Sequence, residues 1–371
     1  MPHRQKSTVE SAARTAALIY VTDDQAGIRR RRAGTGFSFQ SAAGVTITDP
    51  ETLTRIRKLA IPPAWRDIWI CPTADGHIQA TGRDEKGRKQ YLYHPVFRAM
   101  RDEVKYSHML EFAAVLPTIR STVEKHMRLS GLPREKVLAT TVQLLESTLI
   151  RVGNDDYAKE NGSYGLTTLH ARHVQIEGAD LRFRFRGKSG KIWRIKLRDR
   201  RVAKIVRSCQ ELPGQQLLQY QDARGTVHDV TSSDVNAYLR DITGKDITAK
   251  NFRTWAGTVL AATALQDCEP ADSEAAAKKN ITTIVKRVAA QLGNTVAICR
   301  KCYIHPSVLD AYKKGSLERR SEAGEAVDTL SGLKPEEAFL VALLKRTEVG
   351  RQPPSAPDLK AGAAKQVRQA I

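Results

Sequence analysis

The chain has 371 residues, with 60 Lys and Arg against 40 Asp and Glu and a net charge of +20. Its longest purely apolar run, residues 338–344, falls far short of the ~20 residues a membrane-spanning helix needs, and its five cysteines do not suggest a disulfide framework. What remains is a globular protein, large enough for two domains, with a polyanionic partner: nucleic acid first, an anionic membrane surface second.

In chain order, residues 1–17 read as a flexible basic N-terminus with a loose likeness to an organelle transit peptide. Residues 1–100 hold 16 Lys and Arg against nine Asp and Glu, so the positive excess is shared between the front of the chain and the rest. Arg29, Arg30, Arg31 and Arg32 form a run suited to phosphates or to a solvated cationic turn. Residues 60–97 read as β structure, with Asp75-Gly76 as a tight hairpin turn between strands at 68–71 and 77–80, and a further strand near Tyr91. Apolar spacing then predicts helices over 97–112, 116–129 and 134–152.

A basic hairpin follows. Leu181, Phe183 and Phe185 alternate with Arg182, Arg184 and Arg186, Gly187-Lys188-Ser189-Gly190 makes the turn, and Trp193, Ile195 and Leu197 carry the return strand. One face is apolar and the other cationic, the pattern of a half-buried antiparallel pair. Residues 181–207 hold 12 Lys and Arg and a single Asp, a density that favours phosphate contact over a merely solvated face. Helices are expected again at 233–241, 248–265, 273–292, 306–312 and 335–345, and a flexible basic tail over 349–371. The expected organisation is a β-rich domain over 1–97 and a mainly helical one over 98–348.

Few residues suggest chemistry on their own. No phosphate-cradling glycine loop is present. Cys299-Arg300-Lys301-Cys302 has the spacing of half a zinc site without a second close pair, and His170 and His173 lack a carboxylate beside them, so no metal is expected. What stands out is a scatter of cations with one tyrosine: Arg151 in Leu149-Ile150-Arg151-Val152-Gly153, Lys188 at the hairpin tip, Lys250 and Arg253 in Lys250-Asn251-Phe252-Arg253-Thr254-Trp255, Asn294 after Gly293, and Tyr303 in Lys301-Cys302-Tyr303-Ile304-His305-Pro306.

Together and in this order, these segments resemble the small type IB DNA topoisomerases of bacteria and poxviruses. Gly82-Arg83-Asp84-Glu85-Lys86-Gly87-Arg88-Lys89-Gln90-Tyr91-Leu92-Tyr93 belongs to the same likeness. The resemblance implies an α+β fold: a small β-rich N-terminal domain and a larger, mainly α catalytic domain shared with tyrosine recombinases, forming a clamp around duplex DNA. It implies Tyr303 as the nucleophile that forms a 3′-phosphotyrosyl bond, Arg151 and Arg253 on the non-bridging oxygens, and Lys188 as the general acid for the 5′-oxygen. Lys250 becomes a basic position near the second arginine, and Asn294 stands where poxvirus members carry His. Arg29, Arg30, Arg31, Arg88, Lys89, Gln90, Tyr91, Tyr93 and Tyr157 become DNA contacts, with sheet packing as the alternative reading for Tyr91 and Tyr93.

The residue chemistry agrees with those roles. Two permanently charged planar guanidinium groups suit a phosphoryl transition state, and a Lys crowded by Arg182, Arg184, Arg186 and Lys191 should release its proton readily. Asn donates a hydrogen bond but cannot ionise. The expected enzyme relaxes supercoiled DNA without ATP, cofactor or required metal, as a monomer on double-stranded DNA, at the nucleoid in the cytoplasm. A tyrosine recombinase and a nucleoid-binding protein without catalysis are the alternatives; Lys250, where recombinases usually carry His, opposes the first.

Overall fold

The computed structural model describes Glu10, Arg14 and residues 17–317 and 332–349, the side chains of 101–105, 107, 157, 348 and 349 excepted. The basic N-terminal stretch and the tail expected from residue 349 fall, apart from those residues, outside this range. The chain divides into two compact units, the first running to Ser107 and the second over His108–Gly350.

The first unit is built on a five-stranded antiparallel sheet. Its strands are β1 (Ile28–Ala33), β2 (Gly36–Gln40), β3 (Arg66–Ile70), β4 (Ile78–Arg83) and β5 (Lys89–Tyr93), in the order β2-β1-β3-β4-β5. Helix α1 (Pro50–Lys58) is capped by Asp49, whose carboxylate accepts the Thr52 N–H at 2.7 Å. Ile56 of α1 packs with Ile28, Ile68, Ile70 and Ala80 in one core cluster. Trp69 and Ile78 join Val21 and Cys71 in another; Trp69 alternates with Ile68 and Ile70 as strand geometry requires, while an irregularity between Ile78 and Ala80 sends those two to different clusters.

Two expectations for this unit change. The arginine run is a strand, not a turn: Ile28 is buried and Arg30 half-buried, so alternation persists beneath the charge. Asp75-Gly76 does not make a tight turn either. The β3–β4 connection runs through residues 71–77, and Asp75 O accepts the Ile19 N–H at 2.8 Å. Gly76 is needed there because a Cβ would lie 2.4 Å from Cys71 Sγ.

Helix α2 (Pro95–Met127) replaces two predicted helices, and the division between the units falls within it. Pro117 lies inside it at the cost of one backbone hydrogen bond. Burial of Phe112, Leu116, Ile119 and Val123 along the helix offsets that loss.

In the second unit follow α3 (Arg134–Thr148) and α4 (Asp155–Asn161), then a three-stranded antiparallel sheet of β6 (Val174–Glu177), β7 (Asp180–Arg186) and β8 (Ile192–Arg198) in the order β6-β7-β8. The predicted basic hairpin is β7–β8, with Leu181, Phe183, Phe185 and Trp193 buried. Helix α5 (Arg200–Gln210) and the short pair β9 (Gln219–Gln221) and β10 (Val227–Asp229) were not anticipated. Helices α6 (Ser232–Thr243), α7 (Ala249–Gln266) and α8 (Glu274–Leu292) match their predicted spans closely. Helix α9 (Val296–Cys302) precedes α10 (Pro306–Lys313) and α11 (Pro335–Val349). Helix α7 packs against α3, α8, α10 and α11. Among the described residues, no helix is long and apolar enough to cross a membrane.

Candidate active site

Arg253 sits in the second turn of α7, 4% exposed. Burying a guanidinium is costly unless its donors are met. Two helix C-termini meet the donors of its Nη atoms. Arg253 Nη1 donates to Leu149 O at the end of α3, and Nη2 donates to Leu292 O, 2.6 Å away at the end of α8. Both are terminal carbonyls left over from their helices, at the negative ends of the helix dipoles. Each helix closes on a left-handed residue: Gly293 (φ 61°) after α8, and Leu149 itself (φ 57°) after α3. The latter is an uncommon conformation for leucine.

Arg151 follows two residues after that reversal. Its Nη2 donates to Gly293 O at 3.3 Å and to Asn294 Oδ1. Its own backbone is held too. Leu166 N–H donates to Arg151 O at 2.9 Å, and Gly165 must be glycine because a Cβ there would lie 2.6 Å from that oxygen. Burial first, then the charge of Arg151, pushes the Arg253 pKa down, while the nearby Tyr303 phenol pulls it back. Both guanidiniums still stay charged near neutrality.

Tyr303 is the C-cap of α9, whose N-cap is Thr295, where Oγ1 accepts the Ile298 N–H. The Tyr303 N–H donates to Cys299 O at 2.9 Å, and Thr258 Oγ1 of α7 donates to Tyr303 O at 3.2 Å. Gly257 lets α7 approach this closely, since a Cβ there would lie 2.6 Å from Tyr303 O. The half-buried Tyr303 ring has its centroid 5.2 Å from Arg253 Cζ.

The structure thus brings Arg151, Arg253, Asn294 and Tyr303 into one connected group. Two donors of that group, Arg253 Nε and Asn294 Nδ2, are buried without a hydrogen-bond partner. Lys188 is exposed on the β7–β8 turn, where Ser189 is left-handed (φ 63°). That turn is linked to the end of α8 by Lys191 Nζ, which donates to Ala290 O at 3.4 Å. Lys250 is exposed in the first turn of α7.

The remaining sequence candidates lie elsewhere. Arg29 and Arg31 are exposed on β1. Arg30 instead donates to the carbonyls of Ile61, Pro62, Pro63 and Trp65 and lies 4.2 Å over the Phe37 ring. Arg88 and Gln90 both donate to Asp84, and Lys89 pairs with Asp23 at 2.7 Å. For Asp23, burial works upward, but the Lys89 and Thr81 hydrogen bonds outweigh it and hold the carboxyl below its usual range. Tyr91 and Tyr93 stack with centroids 5.9 Å apart, as neighbours on one sheet face do. Tyr157 belongs to α4; its side chain lies outside the described residues.

His170 and His173 stack on each other at 5.3 Å, and burial, with His170 and Arg172 beside it, brings His173 down to about 4. Among the described residues, no group of three or more His, Cys, Asp or Glu is placed to hold a metal ion, and all five cysteines are free. Sequence reasoning missed the carbonyls of Leu149, Leu292 and Gly293. The only signal in the sequence was the glycine after a helical pattern at 293.

Residues 94–329, which contain every member of the connected group, match the family described as eukaryotic DNA topoisomerase I, catalytic core. Residues 36–84 match the bacterial DNA topoisomerase IB N-terminal domain. The chain belongs to the type IB DNA topoisomerases. Among its relatives in that family, the DNA topoisomerase 1B of Acanthamoeba polyphaga mimivirus is 30% identical over 297 residues, covering 77% of this chain and 88% of the relative. The DNA topoisomerase 1B of vaccinia virus (strain Copenhagen) is 29% identical over 107 residues, 29% of this chain and 34% of the relative. In this topoisomerase the segment 85–93, with Arg88, Lys89, Gln90, Tyr91 and Tyr93, falls between the two family matches.

Proposed function

We propose that this type IB topoisomerase relaxes supercoiled DNA through Tyr303. The phenolic oxygen attacks a backbone phosphorus, the new P–O bond to tyrosine forms as the P–O5′ bond breaks, and the phenol proton leaves to water. Lys188 delivers a proton to the departing 5′-oxygen, which would otherwise leave as a poor alkoxide group. Arg151 and Arg253 neutralise charge on the non-bridging oxygens as it develops, and Asn294 donates a hydrogen bond to it. The exchange of one phosphodiester for another is close to energy-neutral, so religation needs no nucleotide and the strain of the DNA drives rotation between the two steps. Both units are read as contacting the same double-stranded DNA as a clamp, with the protein acting as a monomer.

One observation carries the assignment. Buried donors are nearly always paired, yet Arg253 Nε and Asn294 Nδ2 are buried and unpaired in the group that also contains Arg151 and Tyr303. Two idle donors flanked by cations suit a tetrahedral anion with several oxygens.

The test is relaxation of negatively supercoiled plasmid in EDTA without ATP, followed by denaturant trapping and mapping of the attached residue. Wild type should relax the plasmid and carry DNA on Tyr303. Tyr303→Phe should bind DNA with ordinary affinity, relax none and form no covalent adduct. Relaxation by that variant would assign the nucleophile elsewhere.

A further inference from the structure

Trp193 lies on β8 directly opposite Phe185 of β7, with the two rings parallel at 6.2 Å and the indole 8% exposed. A tryptophan in that position would ordinarily count as sheet packing. Its two other neighbours are less ordinary. A Cβ on Gly187 would lie 2.6 Å from indole Cδ1 and Nε1, and a Cβ on Gly293 would lie 2.2 Å from Cζ2. One ring therefore fills the space between two glycines from different elements. Gly187 has φ −100° and ψ −169°, a conformation open to any residue, so the indole rather than the backbone demands glycine there.

These two glycines stand at chemically loaded places. Gly187 immediately precedes Lys188. Gly293 immediately precedes Asn294, and its carbonyl accepts from Arg151. The indole thus bridges the backbone that carries the proton donor and the backbone that carries the phosphate donors. The turn is closed internally, Gly187 N–H donating to Lys191 O at 2.8 Å and Gly190 N–H to Gly187 O at 3.0 Å, but its side chains do little to fix it against α8. Lys188 and Ser189 are exposed, Ser189 is left-handed, and the Lys191 contact with Ala290 is long and exposed.

We propose that Trp193 is a positioning residue for proton transfer: it seats the Lys188 turn against the Gly293–Asn294 turn, so that the ammonium reaches the 5′-oxygen while the guanidiniums hold the phosphate. This rests on the reading of Lys188 as the general acid. Removal of the indole loosens the seat of the turn against Gly293 and leaves intact the hydrogen bonds from Arg253 to Leu149 O and Leu292 O.

The experiment compares single-turnover cleavage of two DNA duplexes, one with the ordinary 5′-oxygen at the scissile bond and one with sulfur in its place. A thiolate leaves without protonation because thiol pKa values lie near ~8.5. Trp193→Ala should cleave the oxygen substrate about 100-fold more slowly than wild type, the scale of a lost general acid, and the sulfur substrate at close to the wild-type rate. Trp193→Phe should retain most of the oxygen rate. Gly187→Ala, which pushes the turn off the indole from the other side, should reproduce the Trp193→Ala pattern and carries the test should Trp193→Ala fail to fold. Lys188→Ala is the reference. Rescue of Lys188→Ala by sulfur without rescue of the other two variants overturns the positioning role. Failure of sulfur to rescue Lys188→Ala itself overturns the general-acid reading, and the inference falls with it.

Discussion

Asn294 divides its amide between two tasks. Oδ1 accepts from Arg151, which leaves Nδ2 as the buried donor without a partner. An asparagine there serves either as a strut for Arg151 or as a donor to the phosphate, and substitution separates the two. Asn294→Asp keeps an acceptor for Arg151 but removes the donor and adds negative charge beside the phosphate. Asn294→Ala removes both, and Asn294→His restores a ring N–H. The expected order of single-turnover cleavage is wild type close to His, Ala about 100-fold slower, and Asp slower than Ala. An Asp variant as fast as wild type would show that holding Arg151 is the whole role. At this scale the membership of the candidate group was legible in the sequence, since Tyr303, Arg151, Arg253 and Asn294 came from motif order and the structure places them together. What holds them was not. Main-chain carbonyls of Leu149, Leu292 and Gly293 have no residue-type signature, and a left-handed leucine at 149 cannot be read from the letter L.

Helix α11 reaches the site only through its contacts. Glu337 accepts from Arg120 of α2 at 2.7 Å, and Trp255 Nε1 of α7, two residues beyond Arg253, donates to it at 3.2 Å. Arg120 also donates to Glu146 of α3 at 2.6 Å, so one nearly buried carboxylate ties three helices together. Burial works to raise the Glu337 pKa, but Arg120, the Lys334 N–H and Trp255 outweigh it and hold it below the usual carboxylate range. A depressed folded-state pKa stabilises above the unfolded value and is lost as pH falls through the folded one. Glu337→Gln should therefore cost about 2 kcal/mol, near 5 °C in melting temperature, at any pH from ~5 to ~9. The gap to wild type should close progressively below pH ~4. A gap independent of pH down to pH ~2 would mean that packing, not charge, makes this link. The elements themselves were unevenly legible. Amphipathic helices such as α7 and α8 and the alternating β7–β8 hairpin announce themselves through period. By contrast, β1 hides its alternation under four arginines, of which Arg30 alone is half-buried with its stem packed and its head on carbonyls, and α5 is so basic that it reads as a charge run. The split predicted between residues 112 and 116 missed that Phe112 and Leu116, four apart and both buried, continue one apolar stripe through α2.

At the scale of the whole molecule, the net charge of +20 would be only a solubility statement were it evenly spread, and it is not. In the second unit, Arg184 faces Arg194 and Arg182 faces Lys196 across β7 and β8, all four exposed. Arg182 has Glu177 at 3.0 Å, whereas no carboxylate partner is recorded for Arg184 or Arg194 among the described residues. Like charges directly opposite each other in a sheet cost about 0.2–1 kcal/mol relative to neutral pairs, so this ladder works slightly against the fold that carries it. Contact with DNA phosphate reverses that balance, because each neutralised phosphate releases condensed counterion and steepens the fall of affinity with salt by about 0.9 in log–log slope. Arg184→Gln and Arg194→Gln should each flatten the salt dependence of duplex binding by about that amount, while the melting temperature of the free protein stays equal or rises slightly. Titrations between ~50 and ~200 mM salt decide the matter. Parallel slopes for wild type and both variants would mean that the ladder faces solvent even in the complex, and the phosphate contacts would then have to be sought on other basic surfaces of the enzyme.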